Sequence, residues 1–412
     1  MPHSAAPQTP APPAPGSSDP GRHAPGPSAT GPSAGAPSAA TPAAGDPPLA
    51  PFAAAALGAA HLDEPLAPTG RTLRWGVVST ASIAEKVVPD IAALPDARVV
   101  AVSSRVQARA EDFARRHGIE RAYGDTAAAT GLERLAGDPD VEVVYVATPH
   151  GHHHRDVSVL LRAGKHVVCE KALAITAAEV RDLIRLARAH GVLLMEAVWT
   201  RMTPGFRAAL RRVRSGDLGR VRAVDGTIGM SRPVDPDHRL FCRADGGGVL
   251  LDMLVYPLTW TAALLGAPRS WSARAELGPT AVDVDTALTL EFGGARGHVS
   301  GTLSAAVPHQ VVVSGTEGWL RVDGRINCPT ALVLQPAEGL RRGAAPVVER
   351  VAVTGAGYVY EMREVTRCVQ AGLTESPVVP WADSLATAEF FDRVRARIGL
   401  VYPHDDALPT NP

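Results

Sequence analysis

Between residues 73 and 195 short apolar runs alternate with helical stretches, and few folds accept that order. Leu73–Val78 is an apolar run. Ile83, Val87 and Ile91 then recur every fourth residue, the spacing of one helix face. Pro89 is expected to kink that helix or to sit in an irregular turn. Arg98–Val102 is a second apolar run, and Ala108–His117 reads as a helix that Gly118 closes. Val141–Ala147 is nearly all apolar, as in a strand buried on both faces. Arg155–Ala163 is helical, and Val167–Cys169 is the next strand. Thr176 and Glu179 form a capping box ahead of Ala177–His190, which Gly191 ends before the strand Val192–Met195. Such alternation predicts a doubly wound α/β fold, a parallel sheet with helices on both faces. Ligands then belong at the C-terminal ends of the strands.

After residue 198 the texture changes. Val221–Gly229, Val284–Phe292, Arg296–Ser304, His309–Ser314 and Trp319–Asp323 read as strands with turn punctuation. Pro204–Ser215, Val255–Leu265 and Trp381–Ile398 read as helices. This predicts a second, α+β domain with an open, mostly antiparallel sheet. The expected organisation is a tail over 1–70, a Rossmann domain over 71–197, the second domain over 198–403 and a short tail over 404–412. Residues 1–70 hold 17 of the 36 prolines, a composition that cannot offset its ordering entropy and predicts disorder with some polyproline II character. The net charge of -1 gives no footprint for nucleic acid. Cys169, Cys242, Cys328 and Cys368 are scattered, which argues against a zinc site or disulfide framework and for reduced thiols in the cytoplasm. No apolar run of about 18 residues is present to span a membrane. Arg22 is the sole basic residue of the first 70, so no secretory leader is expected.

The turn after the first strand is Ser79-Thr80-Ala81-Ser82-Ile83-Ala84. A dinucleotide fold places G-x-G-x-x-G/A there, so that backbone N–H groups approach a pyrophosphate at a helix N-terminus. Ser79, Ala81 and Ala84 occupy the three places, and only the last fits. The second strand ends Ser103-Ser104-Arg105. An NAD site would carry an acid here for the ribose hydroxyls, whereas an arginine suits a 2′-phosphate. This favours NADP over NAD, with Ser104 and Arg105 as contacts.

Next come Thr148-Pro149-His150 with His152-His153-His154, and Ala163-Gly164-Lys165-His166-Val167-Val168-Cys169-Glu170-Lys171-Ala172. Here the chain resembles the Gfo/Idh/MocA oxidoreductases, whose pattern is T-P-N-x-x-H followed by A-G-K-H-V-x-x-E-K-P. His150 stands for the Asn and Ala172 for the Pro. The likeness continues in Met195–Arg201, which looks like the branch of dimeric dihydrodiol dehydrogenase, NADP-linked xylose dehydrogenase and glucose–fructose oxidoreductase. It runs on through Arg239-Leu240-Phe241, Gly246–Asp252, Tyr256-Pro257 and Thr374–Pro377, and covers about residues 71–403.

The resemblance implies NAD(P)-dependent hydride transfer to or from a sugar-like alcohol or carbonyl: an aldose, an inositol or a cyclic dihydrodiol. It implies Lys171 as a catalytic residue, with Tyr256 as proton donor or acceptor, acidified by Lys171, and Asp252 orienting a substrate hydroxyl, or the two roles exchanged. Thr148, Pro149, His150, His153, Glu170 and Lys171 join the turn Ser79–Ile83 as cofactor contacts, with His150 and His153 flanking the nicotinamide ribose or capping the following helix. Trp199 and Arg201 are candidate substrate contacts. A homodimer or higher oligomer through the C-terminal sheet is also implied. The alternative is a regulator of the same fold that binds the dinucleotide without turnover. The triple histidine is not read as a metal site, because adjacent residues cannot all face one ion. A non-proline cis bond costs about 3 kcal/mol, so Lys171–Ala172 is expected to be trans, unlike the family's Lys–Pro bond.

Overall fold

A computed structural model describes residues 60–406 of the chain. The first sheet is built from β1 (Leu73–Val78), β2 (Ala97–Ser103), β3 (Arg121–Tyr123), β4 (Val143–Val146), β5 (His166–Glu170) and β6 (Leu194–Ala197). All are parallel, in the order β3-β2-β1-β4-β5-β6. The connections are α1 (Ala84–Ala92), α2 (Gln107–His117), α3 (Gly131–Ala136), α4 (His150–Arg162) and α5 (Ala177–His190). The strand order reverses between β1 and β4, and this opens a crevice at their C-terminal ends. The expected doubly wound fold is therefore present.

Local chemistry explains several of these elements. β4 is buried at every position, as its continuous apolar run requires. Thr176 and Glu179 form the reciprocal capping box of α5, and Gly191 ends that helix in the left-handed conformation. Pro89 lies inside α1 rather than ending it. α4 starts at His150 and not near Arg155, because Pro149, in extended backbone, directly precedes the first helical turn.

The second sheet has eight strands, in the order β14-β13-β12-β11-β7-β10-β9-β8. They are β7 (Val221–Gly229), β8 (Ser270–Leu277), β9 (Asp283–Glu291), β10 (Arg296–Thr302), β11 (Gln310–Gly315), β12 (Gly318–Asp323), β13 (Ala331–Pro336) and β14 (Val347–Arg350). Only β7 and β10 pair in parallel, so the sheet is mostly antiparallel, as expected. Burial alternates along β9 and β12 with the period of two that one covered face demands. The covering elements are α6 (Pro204–Arg214), α7 (Val249–Asp252) and α8 (Val255–Leu265), whose Val249, Leu258 and Trp260, with Leu254 between α7 and α8, join the sheet's core.

After the short helix α9 (Ala337–Arg341), α10 (Val359–Gln370) returns to the first sheet. Its Met362, Val365 and Val369 share a core with Val87 and Ile91 of α1. α11 (Trp381–Ile398) spans both units, with Trp381 in the core of α4 and α5 and Phe390 in that of the second sheet. The tail expected over 1–70 lies outside the described residues as far as position 59. Its end, residues 60–70, packs against α10: Leu62 is buried, and Arg363 donates to Pro65 O at 2.7 Å while forking onto Asp96. The tail expected over 404–412 is described only to Asp406. Among the described residues no single helix is long and apolar enough to cross a membrane.

Candidate active site

The crevice opens into a cleft of about 680 Å³ between the two sheets, within the range of about 300–1,000 Å³ usual for small-molecule and cofactor sites. One wall comes from the first sheet: Ala81, Ser82, Ile83, Ala147, Thr148, Pro149, His150, Glu170 and Lys171. The other brings Met230, Arg239, Asp252, Tyr256 and Asn327. Lys171 and the pair Asp252 and Tyr256, some eighty residues apart in sequence, thus face one space.

Lys171 is buried where β5 ends. Its Nζ donates to the main-chain oxygen of Asp252, lies 3.4 Å from Asp252 Oδ1, and sits 4.9 Å from the centre of the Tyr256 ring. Burial opposes the ammonium, but the charges of Asp252, Tyr256 and Glu170 outweigh it, and the lysine pKa stands above its ordinary value. Asp252 closes α7, and Arg239 donates to its Oδ1 at 2.9 Å. Burial would raise this carboxyl, yet Lys171 and Arg239 hold it well below the usual carboxylate range. Tyr256 enters from the first turn of α8. Its phenol is not acidified on balance, contrary to expectation: burial raises its pKa more than Lys171 lowers it.

Asp252 is placed by the glycine run before it. Gly248 has φ +114, and a Cβ there would meet Asp283 Oδ1 at 2.1 Å. Asp283 in turn accepts from Leu250 N at 2.8 Å and from the Thr286 hydroxyl at 2.6 Å. The buried Asp283 carboxyl group under α7 therefore fixes the turn that carries Asp252.

The Lys171–Ala172 bond is cis, not trans as expected. Both flanking carbonyls are engaged in buried surroundings: His150 Nε2 lies 2.9 Å from Lys171 O, and His153 Nδ1 lies 2.9 Å from Ala172 O. Burial takes the His150 pKa down to about 3, so its ring is neutral and donates through one nitrogen only. His153 does not line the cleft. It is fully buried beneath it, with Nε2 2.7 Å from Thr148 O. The adjacent histidines turn elsewhere, His152 toward Asp245 at 3.4 Å and His154 toward Asp182 at 3.0 Å.

Several features fit a dinucleotide. The amides of Ser82 and Ile83 have no backbone acceptor among the described residues. Thr148 lines the cleft, and its buried hydroxyl has no hydrogen-bond partner among the described residues. Ser79 has φ +90, a conformation suited to the glycine of the usual fingerprint, and its Oγ accepts from Ala81 N at 3.2 Å. Ser79 and Thr80 shape the turn without lining the cleft. Ser104 and Arg105 lie just beyond it at the end of β2, with Arg105 exposed.

Of the expected substrate contacts, Trp199 lines the cleft and stacks on Tyr358 with ring centres 4.1 Å apart. Arg201 does not. It is buried, and its guanidinium donates to Asp383 Oδ2 at 2.7 Å and Val378 O at 3.0 Å, which makes it a packing residue. Lys86, Met230, Arg325, Asn327 and Tyr358 line the cleft without having been singled out in the sequence. Only Gly355-Ala356-Gly357, which brings Tyr358 in, carried a local signal.

Residues 73–198 match the family model described as an oxidoreductase family with an NAD-binding Rossmann fold, and residues 206–321 match the GFO/IDH/MocA C-terminal domain. Trans-1,2-dihydrobenzene-1,2-diol dehydrogenase from Bos taurus is 37% identical over 339 residues, which cover 81% of this chain and 99% of that protein. The enzyme of that name from Homo sapiens is 35% identical over the same shares. A solved 3-ketoreductase from Actinomadura kijaniata, in complex with NADP and TDP-benzene, superposes with a TM-score of 0.69 at 25% identity, covering 80% of this chain and 98% of that one.

Proposed function

The chain belongs to the Gfo/Idh/MocA family of NAD(P)-dependent oxidoreductases, and from that premise we propose that its cleft moves a hydride between NADP and a sugar-like alcohol or carbonyl. An aldose, an inositol or a cyclic dihydrodiol is the substrate class. The observation that carries this reading is the convergence of Lys171, Asp252 and Tyr256 on the cleft that the turn Ala81–Ile83 and Thr148 also line. On this division residues 71–197 hold the dinucleotide and residues 198–403 the substrate.

The nicotinamide, when bound, supplies the hydride acceptor or donor. The chain's own residues handle the proton. Tyr256 keeps its proton near neutral pH, because burial raises its pKa, and so donates a hydrogen bond to the substrate oxygen. In carbonyl reduction it gives up that proton, and the Lys171 ammonium, 4.9 Å from the ring centre, stabilises the negative charge that develops. Oxidation runs the same path backwards. Asp252 holds Lys171 as a cation and, through its remaining oxygen, orients a substrate hydroxyl. Glu170, His150 and Pro149 complete the cofactor wall, and Trp199 gives the substrate an apolar face.

The preference for NADP rests on Arg105. No acid occupies the end of β2, and the Arg105 guanidinium has no ion pair among the described residues. Arg109, four residues on in the first turn of α2, is also exposed and makes a second candidate contact for a 2′-phosphate. Four unpaired cysteines suit a reducing cytoplasm. The face of the second sheet opposite α8, which carries Thr227, Ser300, Ala287 and Arg274 in one register across four strands, is our candidate for pairing two copies, which sedimentation would test.

The experiment is a panel of aldoses, inositols and cyclic diols, followed by the growth of reduced-nicotinamide absorbance with NADP and, separately, NAD. Turnover with NADP in preference to NAD supports the proposal. Dinucleotide binding with no turnover on any substrate class would oppose it and favour the regulator.

A further inference from the structure

Two cations line the cleft without a carboxylate partner among the described residues. They are Lys86, in the first turn of α1, and Arg325, on the turn between β12 and β13. The acids nearest to Lys86 in sequence are already committed. Glu85 is taken by Arg116 at 2.6 Å and His117 at 2.7 Å. Asp90, four residues on and so on the same helix face, is buried and accepts from the backbone N–H groups of Ala356 at 3.0 Å, Tyr358 at 2.8 Å and Val359 at 3.0 Å. Asp90 thereby ties the loop 354–359 to α1.

That loop also holds Arg325. Its guanidinium donates once to Ala356 O at 3.2 Å and lies 5.7 Å from the centre of the Trp199 ring. An arginine has five N–H donors, and the others find no protein acceptor among the described residues. The arginine is thus held by a carbonyl and an indole face while most of its hydrogen-bonding capacity is unspent. Lys86 lines the same cleft from α1, one turn beyond the amides of Ser82 and Ile83, which have no backbone acceptor among the described residues. Two like charges facing one concave space repel each other unless an anion lies between them.

We propose that Arg325 and Lys86 form a two-sided clasp on the diphosphate of the bound dinucleotide, so that the second domain holds the cofactor by charge as well as enclosing it. The clasp rests on the dinucleotide reading above. It assigns a cofactor contact to the substrate-binding half of the chain, and it lets cofactor binding draw the two halves together.

The test is the affinity of the full chain for NADP, NAD and ADP-ribose, which share the diphosphate and differ elsewhere. Charge-assisted hydrogen bonds of this kind predict that Arg325→Ala and Lys86→Met each weaken all three ligands by the same factor, at least about tenfold. Arg325→Lys should recover part of the loss, and binding to Arg325→Ala should depend less on salt. Arg321→Ala, which removes a nearby arginine paired with Asp323, should change nothing. Arg325→Gln, checked by its melting transition, guards against a folding defect. Unchanged affinities in a folded Arg325 variant would overturn the clasp while leaving the cofactor reading intact. A loss confined to the KM of phosphorylated or carboxylated substrates would overturn it too, and would give Arg325 to the substrate. A wild-type chain that binds none of the three ligands would overturn both readings.

Discussion

Replacing Asp252 by asparagine should uncouple Lys171 from the charge that holds it protonated. The two charges are 3.4 Å apart, which at an effective dielectric of about 20 corresponds to an attraction of about 5 kcal/mol. Burial alone would push the lysine down, so losing that attraction should reverse the direction of its shift, from above its ordinary pKa to below. A raised lysine contributes stability that is complete below its unfolded value of about 10.4 and is lost as pH rises through the folded value. In Asp252→Asn the sign reverses: the depressed lysine costs stability below its folded pKa, and stability should rise rather than fall as pH climbs from that value toward about 10.4. Lys171 keeps its hydrogen bond to the Asp252 main-chain oxygen, so the stability cost near neutral pH should be about 3 kcal/mol, the lower end for breaking a buried pair. Denaturant unfolding would measure this cost. Initial rates of NADP reduction against pH would show the alkaline limb moving down. A variant with the wild-type limb and the wild-type midpoint would refute the idea that Asp252 holds Lys171.

Three further outcomes follow from the same structure. Arg105→Ala should weaken NADP by about ten- to a hundredfold relative to NAD, and equal effects on the two cofactors in a titration would remove Arg105 from the 2′-phosphate. Ser79→Gly should stabilise the chain by about 1 kcal/mol in denaturant unfolding by relieving the positive φ of a non-glycine residue; a destabilised variant would mean that the hydrogen bond from Ala81 N matters more. Burial lifts the Asp283 carboxyl to about 7, so the folded state keeps a proton that the unfolded state has released. Stability should then fall between about pH 4 and 7 and level off above, and Asp283→Asn should flatten that part of the profile. Parallel profiles for wild type and variant would contradict the assignment.

The parts legible in sequence were those governed by local chemistry. Five of the six strands of the first sheet declare themselves because burial on both faces leaves continuous apolar runs, as in Val143–Val146, whereas the short, half-buried β3 does not. Thr176, Glu179 and Gly191 mark both ends of α5 because capping involves only neighbours. Lys171, Asp252 and Tyr256 were found through motif resemblance, and their convergence needed the fold. What was missed depends on distant partners. Arg201 beside Trp199 reads as a pocket residue, but Asp383, far along the chain, takes its charge. The acidity of Tyr256 was misjudged because Lys171 is visible in sequence and burial is not. α3, α7, α9, α10 and the strands β3, β8, β13 and β14 went unread. β14 has exposed valines and little alternation to detect. Lys86 and Arg325 belong to no sequence motif, and only the fold brings them to the cleft.

The central claim is that the Lys171 ammonium supports proton transfer through Tyr256 in a cleft that binds a nicotinamide dinucleotide, and Lys171→Met tests it most directly. NADP affinity and NADP-dependent turnover should be measured on the same preparation, with any sugar-like substrate the wild type accepts. The account predicts a folded variant that binds NADP within a few-fold of wild type and whose turnover falls by about 10²-fold or more. Turnover near the wild-type rate would contradict it.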